Sequence, residues 1–127
     1  MSAASFLWVA AGGALGSVAR FWLAAVIAAV TGPYFPWGTL LINVLGSFVI
    51  GWFGTWTGAH GPVDVPPDIR VFVMVGICGG FTTFSSFSLQ TLDLLYAGDA
   101  LRAGSYILGS VALCLAAVWL GVTVGRA

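Results

Sequence analysis

The chain has 127 residues, a mean hydropathy of +1.05, and only 6% charged residues, which comprise four Arg and four Asp. A soluble domain carries about 25% charged residues, so this composition argues against a soluble domain, a disordered segment or a nucleic-acid-binding protein. The net charge of zero gives no attraction to polyanions or to charged membrane surfaces.

Four apolar segments are long enough to cross a bilayer, whose hydrocarbon core of about 30 Å requires ~20 helical residues. The first is too long for a signal peptide. Trp and Tyr lie mostly near segment ends, as in the aromatic belts of membrane proteins. We therefore predict an all-α, multi-pass membrane protein with one four-helix transmembrane domain over residues 1–127. The predicted spans cover about residues 6–30, 38–56, 69–96 and 101–124.

The residue types needed for most catalytic or metal sites are absent. Cys78 and Cys114 lie in apolar runs and are predicted to be core residues, and His60 has no other ligand at suitable spacing. There is no Ser-His-Asp set, no carboxylate pair and no phosphate-binding loop, so we predict that the protein is not an enzyme. Asp93, the only carboxylate inside a span, lies late in it, which disfavours a proton-coupled multidrug transporter.

The third segment is unusual at mid-membrane depth. Gly79 and Gly80 are followed by five hydroxyl residues within positions 82–88, a poor composition for a continuous helix. We predict a helix break near Gly79–Thr83. Irregular backbone at this depth is tolerated only where protein covers it or water reaches it. Two interpretations stay open, a kink without a ligand and part of a binding site.

Polar side chains recur inside two other spans. Asn43, the only Asn, has Thr39 and Ser47 four residues before and after it, which gives one polar stripe. These groups can donate hydrogen bonds to an anion, but they can equally join helices. Arg20 lies inside the first span and requires a polar partner, such as Asp93, the break in a neighbouring helix, or a vestibule.

An aromatic stripe continues beyond the predicted break. Phe81, Phe84 and Phe87 recur every third residue among hydroxyl side chains. Such stripes usually pack in a core, yet the positive edge of a phenyl ring beside hydroxyl donors can hold a small anion. Tyr106 and Ser110, four residues apart in the fourth span, can extend a polar track. A site without fixed positive charge allows rapid release of an anion.

Small residues at four-residue spacing predict close helix packing in lipid. The pairs are Gly12/Gly16, Gly13/Ser17, Ser47/Gly51, Gly54/Gly58, Gly76/Gly80 and Gly121/Gly125. A pathway through one small bundle would have little wall, which favours an oligomer. Arg70 and Arg126 flank spans on one side and Arg102 on the other, a weak orientation bias. We therefore hypothesise that the chain inserts both ways and forms an antiparallel homodimer.

Three stretches carry a recognisable pattern: Gly12–Gly16 followed by Arg20, then Gly38–Phe48, and Gly79–Ser88. Together with the four-span layout, they resemble the Fluc/CrcB family of fluoride channels. The third stretch is the most specific. The resemblance implies a dual-topology antiparallel homodimer with two pores in the bacterial plasma (inner) membrane. It also implies passive, highly selective export of cytoplasmic fluoride, driven by the membrane potential.

The resemblance also assigns residues. Gly79 and Thr82 would offer backbone carbonyls to a structural Na⁺ at the dimer interface, and Arg20 would lie near the vestibule. The expected partners are the fluoride ion, a second copy of the chain and the lipid bilayer, with no nucleic acid. The implied pore residues are Asn43, Phe84, Phe87, Tyr106, Ser110, Thr39 and Ser85.

The sequence departs from the family pattern in the outer part of the implied path. Gln90 stands where family members usually have Glu, and Cys114 and Val118 stand where hydroxyl residues often continue the track. Two alternative functions stay open. A structural or assembly subunit of the membrane is favoured by the small-residue pairs, and a fluoride/proton antiporter would couple fluoride flux to a pH gradient.

Overall fold

The computed structural model describes residues 1–127 and is entirely helical, with four helices long and apolar enough to cross a membrane. Each predicted span lies within an observed one, so the four-span prediction is confirmed. The first, second and fourth spans are the continuous helices α1, α2 and α6. The observed spans are Ala3–Thr31 (α1), Trp37–Trp56 (α2), Pro67–Tyr96 (the third span) and Ala100–Arg126 (α6).

The third span is divided into segments. It begins with α3 (Pro67–Arg70), continues through a π-helical segment (Val71–Ile77) and α4 (Cys78–Phe81), and resumes as α5 (Phe84–Tyr96). Thr82 and Thr83 between α4 and α5 are extended, so the predicted break is confirmed.

The adjacent glycines do not themselves form the break. Gly79 and Gly80 are helical residues of α4, and the backbone leaves the helix only after Phe81. A Cβ on Gly80 would lie 2.5 Å from the Gly13 carbonyl oxygen of α1. This glycine therefore permits close contact between α4 and α1, whereas the threonines supply the extended backbone.

Helix ends follow from local side chains and glycines. The Ser2 hydroxyl accepts a hydrogen bond from the Ser5 N–H at the start of α1, and the Asp99 carboxylate accepts one from the Arg102 N–H at the start of α6. Gly32 and Gly98 have a φ of +78°, a conformation that favours glycine and allows the chain to turn after α1 and α5.

Close backbone contacts join the spans in two pairs. Gly12 and Gly16 of α1 are buried against the π-helical segment and α4. Gly51 of α2 packs against Val118 of α6, where an added Cβ would lie 2.5 Å from the Val118 carbonyl oxygen. Side chains larger than hydrogen would separate these helices, so the packing prediction for these small residues is confirmed.

Candidate functional site

A cavity of about 350 Å³, here called the groove, lies between α2, the broken third span and α6 and opens at the protein surface. No charged side chain lines it. Five of its lining residues carry hydroxyl or amide groups and two are phenylalanines. These seven are Asn43, Ser47, Thr82, Thr83, Phe84, Phe87 and Ser110.

Asn43 fixes the break in the third span. Its Oδ1 accepts a hydrogen bond from the Thr83 N–H at 2.8 Å, and its Nδ2 donates one to the Thr83 carbonyl oxygen at 3.1 Å. The Thr83 hydroxyl in turn accepts a hydrogen bond from the Ser86 N–H and caps α5. Asn43 thus joins two helices and also lines the groove, where its second amide N–H is free to donate.

The aromatic stripe extends from the groove toward one end of the bundle. The Phe84 ring is 78% exposed and lies 5.4 Å from the Phe87 ring centroid. The Phe87 ring lies 5.0 Å from the ring of Tyr106, which is buried, and Tyr106 lies 5.4 Å from Phe35. This row of rings leads from the groove to the turn between α1 and α2.

A second cavity of about 640 Å³, here called the end cavity, lies at that end of the bundle. Thr39 and Gln90 line it, as do Asp93 and Arg102. The Tyr106 hydroxyl donates a hydrogen bond to Gln90 Oε1 at 2.7 Å, which leaves the Gln90 amide nitrogen free to donate. Successive turns of α5 line the two cavities, with Phe87 in the groove and Gln90 in the end cavity. The hydrogen bond to Gln90 therefore lies near the boundary between the groove and the end cavity.

Ser110 carries an unusual hydroxyl group. The residue is 6% exposed, its Oγ has no hydrogen-bond partner, and it lines the groove. Buried side-chain oxygens almost always have a partner in proteins or in bound water. The Ser110 hydroxyl is therefore available to a ligand or water molecule inside the groove.

Arg20 lies behind the break. Its Nε donates a hydrogen bond to the Gly80 carbonyl oxygen at 3.0 Å, so its partner is the broken third span. Asp93, another expected partner, is instead exposed beside the end cavity. The carbonyl oxygens of Gly79 and Thr82 accept no hydrogen bond, and both residues line the groove.

The predicted pore residues are not all in one place. Asn43, Phe84, Phe87 and Ser110 line the groove, and Thr39 lines the end cavity. Ser85 is exposed and lies outside the groove lining, with its hydroxyl 3.3 Å from that of Thr83.

Sequence reasoning missed two features of the region. The π-helical segment has no distinguishing sequence signal, because its apolar run also suits an α-helix. The hydrogen bond between Tyr106 and Gln90 joins side chains 16 residues apart and depends on how α5 packs against α6. Its one indication in the sequence was the departure at Gln90 that the resemblance implies.

Comparison with known proteins identifies the family. Residues 7–122 match the family model described as CrcB-like protein, Camphor Resistance (CrcB). The chain is 58% identical over 122 residues to the Fluoride-specific ion channel FluC of Methylocella silvestris, covering 96% of this chain and 93% of that protein. Proteins of the same name from Rhodospirillum rubrum and Opitutus terrae are 58% identical over 117 residues and 59% identical over 116 residues. These matches cover 92% and 91% of this chain, and 91% and 88% of the two relatives, respectively. The resemblance drawn from three sequence stretches is confirmed, and the chain belongs to the CrcB family.

Proposed function

We propose that this protein is a passive fluoride channel that exports cytoplasmic fluoride across a bacterial inner membrane. The observation that carries the proposal is the uncharged groove at mid-membrane depth, with the unpartnered Ser110 hydroxyl in its wall. The relatives are named as fluoride-specific ion channels. The prediction that the protein is not an enzyme is thereby confirmed.

The chemistry of the groove suits a small, strongly hydrated anion. Such an ion enters only where donors replace its water, and the Ser110 hydroxyl and the second Asn43 N–H are such donors. The ring edges of Phe84 and Phe87 add positive partial charge without an ionised group. An anion held by dipoles rather than by Arg or Lys leaves readily, which rapid conduction requires.

The proposed path continues from the groove to the end cavity. Tyr106 and Gln90 lie at the boundary, and the free Gln90 amide nitrogen faces an ion that passes from one cavity to the other. Thr39 offers a hydroxyl on the end-cavity side. Ser85 lies next to Thr83 on the exposed side of the break. Movement along this path is driven by the electrochemical gradient of fluoride alone.

We further propose that two copies assemble in opposite orientations. The groove is open to the surface of the single chain, and the Thr82 carbonyl oxygen in its wall accepts no hydrogen bond, although Asn43 satisfies the backbone of Thr83. Lipid cannot satisfy such a carbonyl, so a second protein surface is needed there. A second copy supplies this cover, and the weak Arg bias allows both orientations. The exposed Phe84 ring then lies at or near the contact between copies.

The region of Gly79 and Thr82 fits a structural Na⁺ between the two copies. Both carbonyl oxygens are free of hydrogen bonds, and carbonyl oxygen is a preferred ligand of hard cations. When bound, Na⁺ would neutralise the carbonyl dipoles and hold the copies together. Arg20 binds the intervening Gly80 carbonyl and would fix α4 beside the vestibule.

A fluoride efflux assay tests the function. Purified protein is placed in liposomes loaded with potassium fluoride, and a fluoride electrode follows release after valinomycin is added. We expect rapid release of fluoride and negligible release of chloride. Release that requires a pH gradient would establish an antiporter. No release at all would favour the alternative function, a structural subunit of the membrane. Protein-free liposomes and Ser105→Ala, on an exposed face of α6 outside both cavities, serve as controls.

A labelling experiment tests the assembly. A single cysteine is added at the C-terminus of a chain lacking Cys78 and Cys114, and a membrane-impermeant maleimide is applied to intact vesicles. We expect about half of the termini to be labelled, and the other half to be labelled after permeabilisation. Labelling of all or none of the termini in intact vesicles would overturn the dual topology. Replacing Na⁺ by a large organic cation is expected to weaken the dimer in detergent.

A further inference from the structure

Nearly all the sulfur-containing side chains of the protein line the groove. The sequence contains two Cys and two Met, and three of these four side chains line this one cavity. They are Met74 of the π-helical segment, Cys78 of α4 and Cys114 of α6, whereas Met1 lies at the N-terminus. Both thiols are free of disulfide bonds.

We propose that the groove binds one soft, monovalent metal cation of the Cu⁺ or Ag⁺ type. The Cys78 and Cys114 thiolates are the principal ligands, and the Met74 thioether is a further ligand. Thiolate and thioether ligands select such cations over hard ones. Each thiol that coordinates the metal releases its proton to solvent, and no oxidation is involved.

The arrangement of the elements supports this ligand set. Met74 and Cys78 are four residues apart and face the same cavity from the third span, while Cys114 faces it from α6. Cys78 lines the groove and is only 3% exposed, so its thiol is shielded from lipid.

The ligand count also favours a metal that accepts few ligands. No group of three His, Cys, Asp or Glu side chains is clustered anywhere in the structure. Zn²⁺, which usually takes four such ligands, therefore has too few here. A cation satisfied by two thiolates and a thioether fits the residues present.

The binding test uses Ag⁺ in chloride-free nitrate buffer. Silver is titrated into the purified protein in detergent, and the thiolate-to-metal charge-transfer absorption is followed. The amount of silver bound per chain is then measured after desalting. We expect one tightly bound Ag⁺ per chain. Cys78→Ser and Cys114→Ser should each lower the affinity about 100-fold, and Met74→Leu should lower it about tenfold.

A displaced thiol provides the matched control. The double variant Cys114→Ser with Ala112→Cys keeps two thiols but moves one to an exposed position on α6. We expect it to bind silver as weakly as Cys114→Ser alone. Equal binding by this control and the parent protein, or binding that survives loss of either native thiol, would overturn the proposal.

A second arm applies Ag⁺ to the fluoride efflux assay. Cys114 lies four residues from Ser110 in the groove wall, so bound metal would block the path if the proposed function is right. We expect silver to stop efflux by the parent protein and to spare Cys78→Ser/Cys114→Ser. The binding measurement requires no fluoride movement, so failure of the channel proposal and failure of the metal site are distinguishable.

Discussion

A methyl group placed on Gly80 tests how closely α4 packs against α1. Its Cβ would lie 2.5 Å from the Gly13 carbonyl oxygen and 3.1 Å from both the Gly13 Cα and the Ser17 amide nitrogen. All three are backbone atoms, so α1 and α4 must separate to admit the methyl group. Overpacking of this kind costs about 1–3 kcal/mol.

Gly109→Ala is the matched control for Gly80→Ala. A Cβ on Gly109 meets no atom within 4 Å, and both glycines are helical. The gain in helix propensity, about 1 kcal/mol for each change, therefore largely cancels in the comparison. We expect the free energy of unfolding of Gly80→Ala to be about 1–3 kcal/mol lower than that of Gly109→Ala.

Unfolding by SDS in mixed micelles, followed by the fluorescence of the six Trp residues, measures this difference. Equal stability of the two variants, or a more stable Gly80→Ala, would refute the close approach of α4 to α1. A larger residue at the same site, in Gly80→Val, should widen the gap, because the backbone atoms of Gly13 and Ser17 cannot turn away.

Three further changes probe the site. Phe84→Ile should slow fluoride efflux at least about tenfold, with little change in the stability of the single chain, since this exposed ring has few partners there. Undiminished efflux would remove the ring from the path. Asn43→Asp places a carboxylate against the Thr83 carbonyl oxygen and should lower both efflux and the unfolding free energy, the latter by about 1–3 kcal/mol. Parental values in both measurements would count against this role. Tyr106→Phe frees Gln90 Oε1 and should slow efflux several-fold; its effect should vanish in a Gln90→Leu background, and additive effects would contradict the coupling.

Hydropathy and turn chemistry were sufficient to predict the four spans, because lipid imposes a length and a composition on each helix. The break was also predictable in outline. Its exact position within Gly79–Thr83 was not, since the glycine pair and the hydroxyl residues that follow it both favoured a break. Tertiary contact explains the difference, because Gly80 is held against α1 while Asn43 captures the Thr83 backbone.

The polar stripe around Asn43 was predicted to face one way, and the structure divides it between two cavities. Asn43 and Ser47 line the groove, while Thr39, one turn nearer the end of α2, lines the end cavity. The four-residue spacing of polar residues predicts that they share one face of a helix, but the position of a cavity wall depends on neighbouring helices. The buried Tyr106 ring, for example, packs beside Phe87 and lines neither cavity.

The π-helical segment at Val71–Ile77 has a consequence for how this chain can change. Each wide turn holds about one residue more than an α-turn, and one residue corresponds to about 100° of rotation in an α-helix. Deletion of one codon here would let the wide turn close to an α-turn and leave α4 and Thr83 facing Asn43, whereas the same deletion within α2 or α6 would rotate the rest of that helix. Descendants of this chain should therefore tolerate the loss of one of these apolar residues better than a shortening of the other spans.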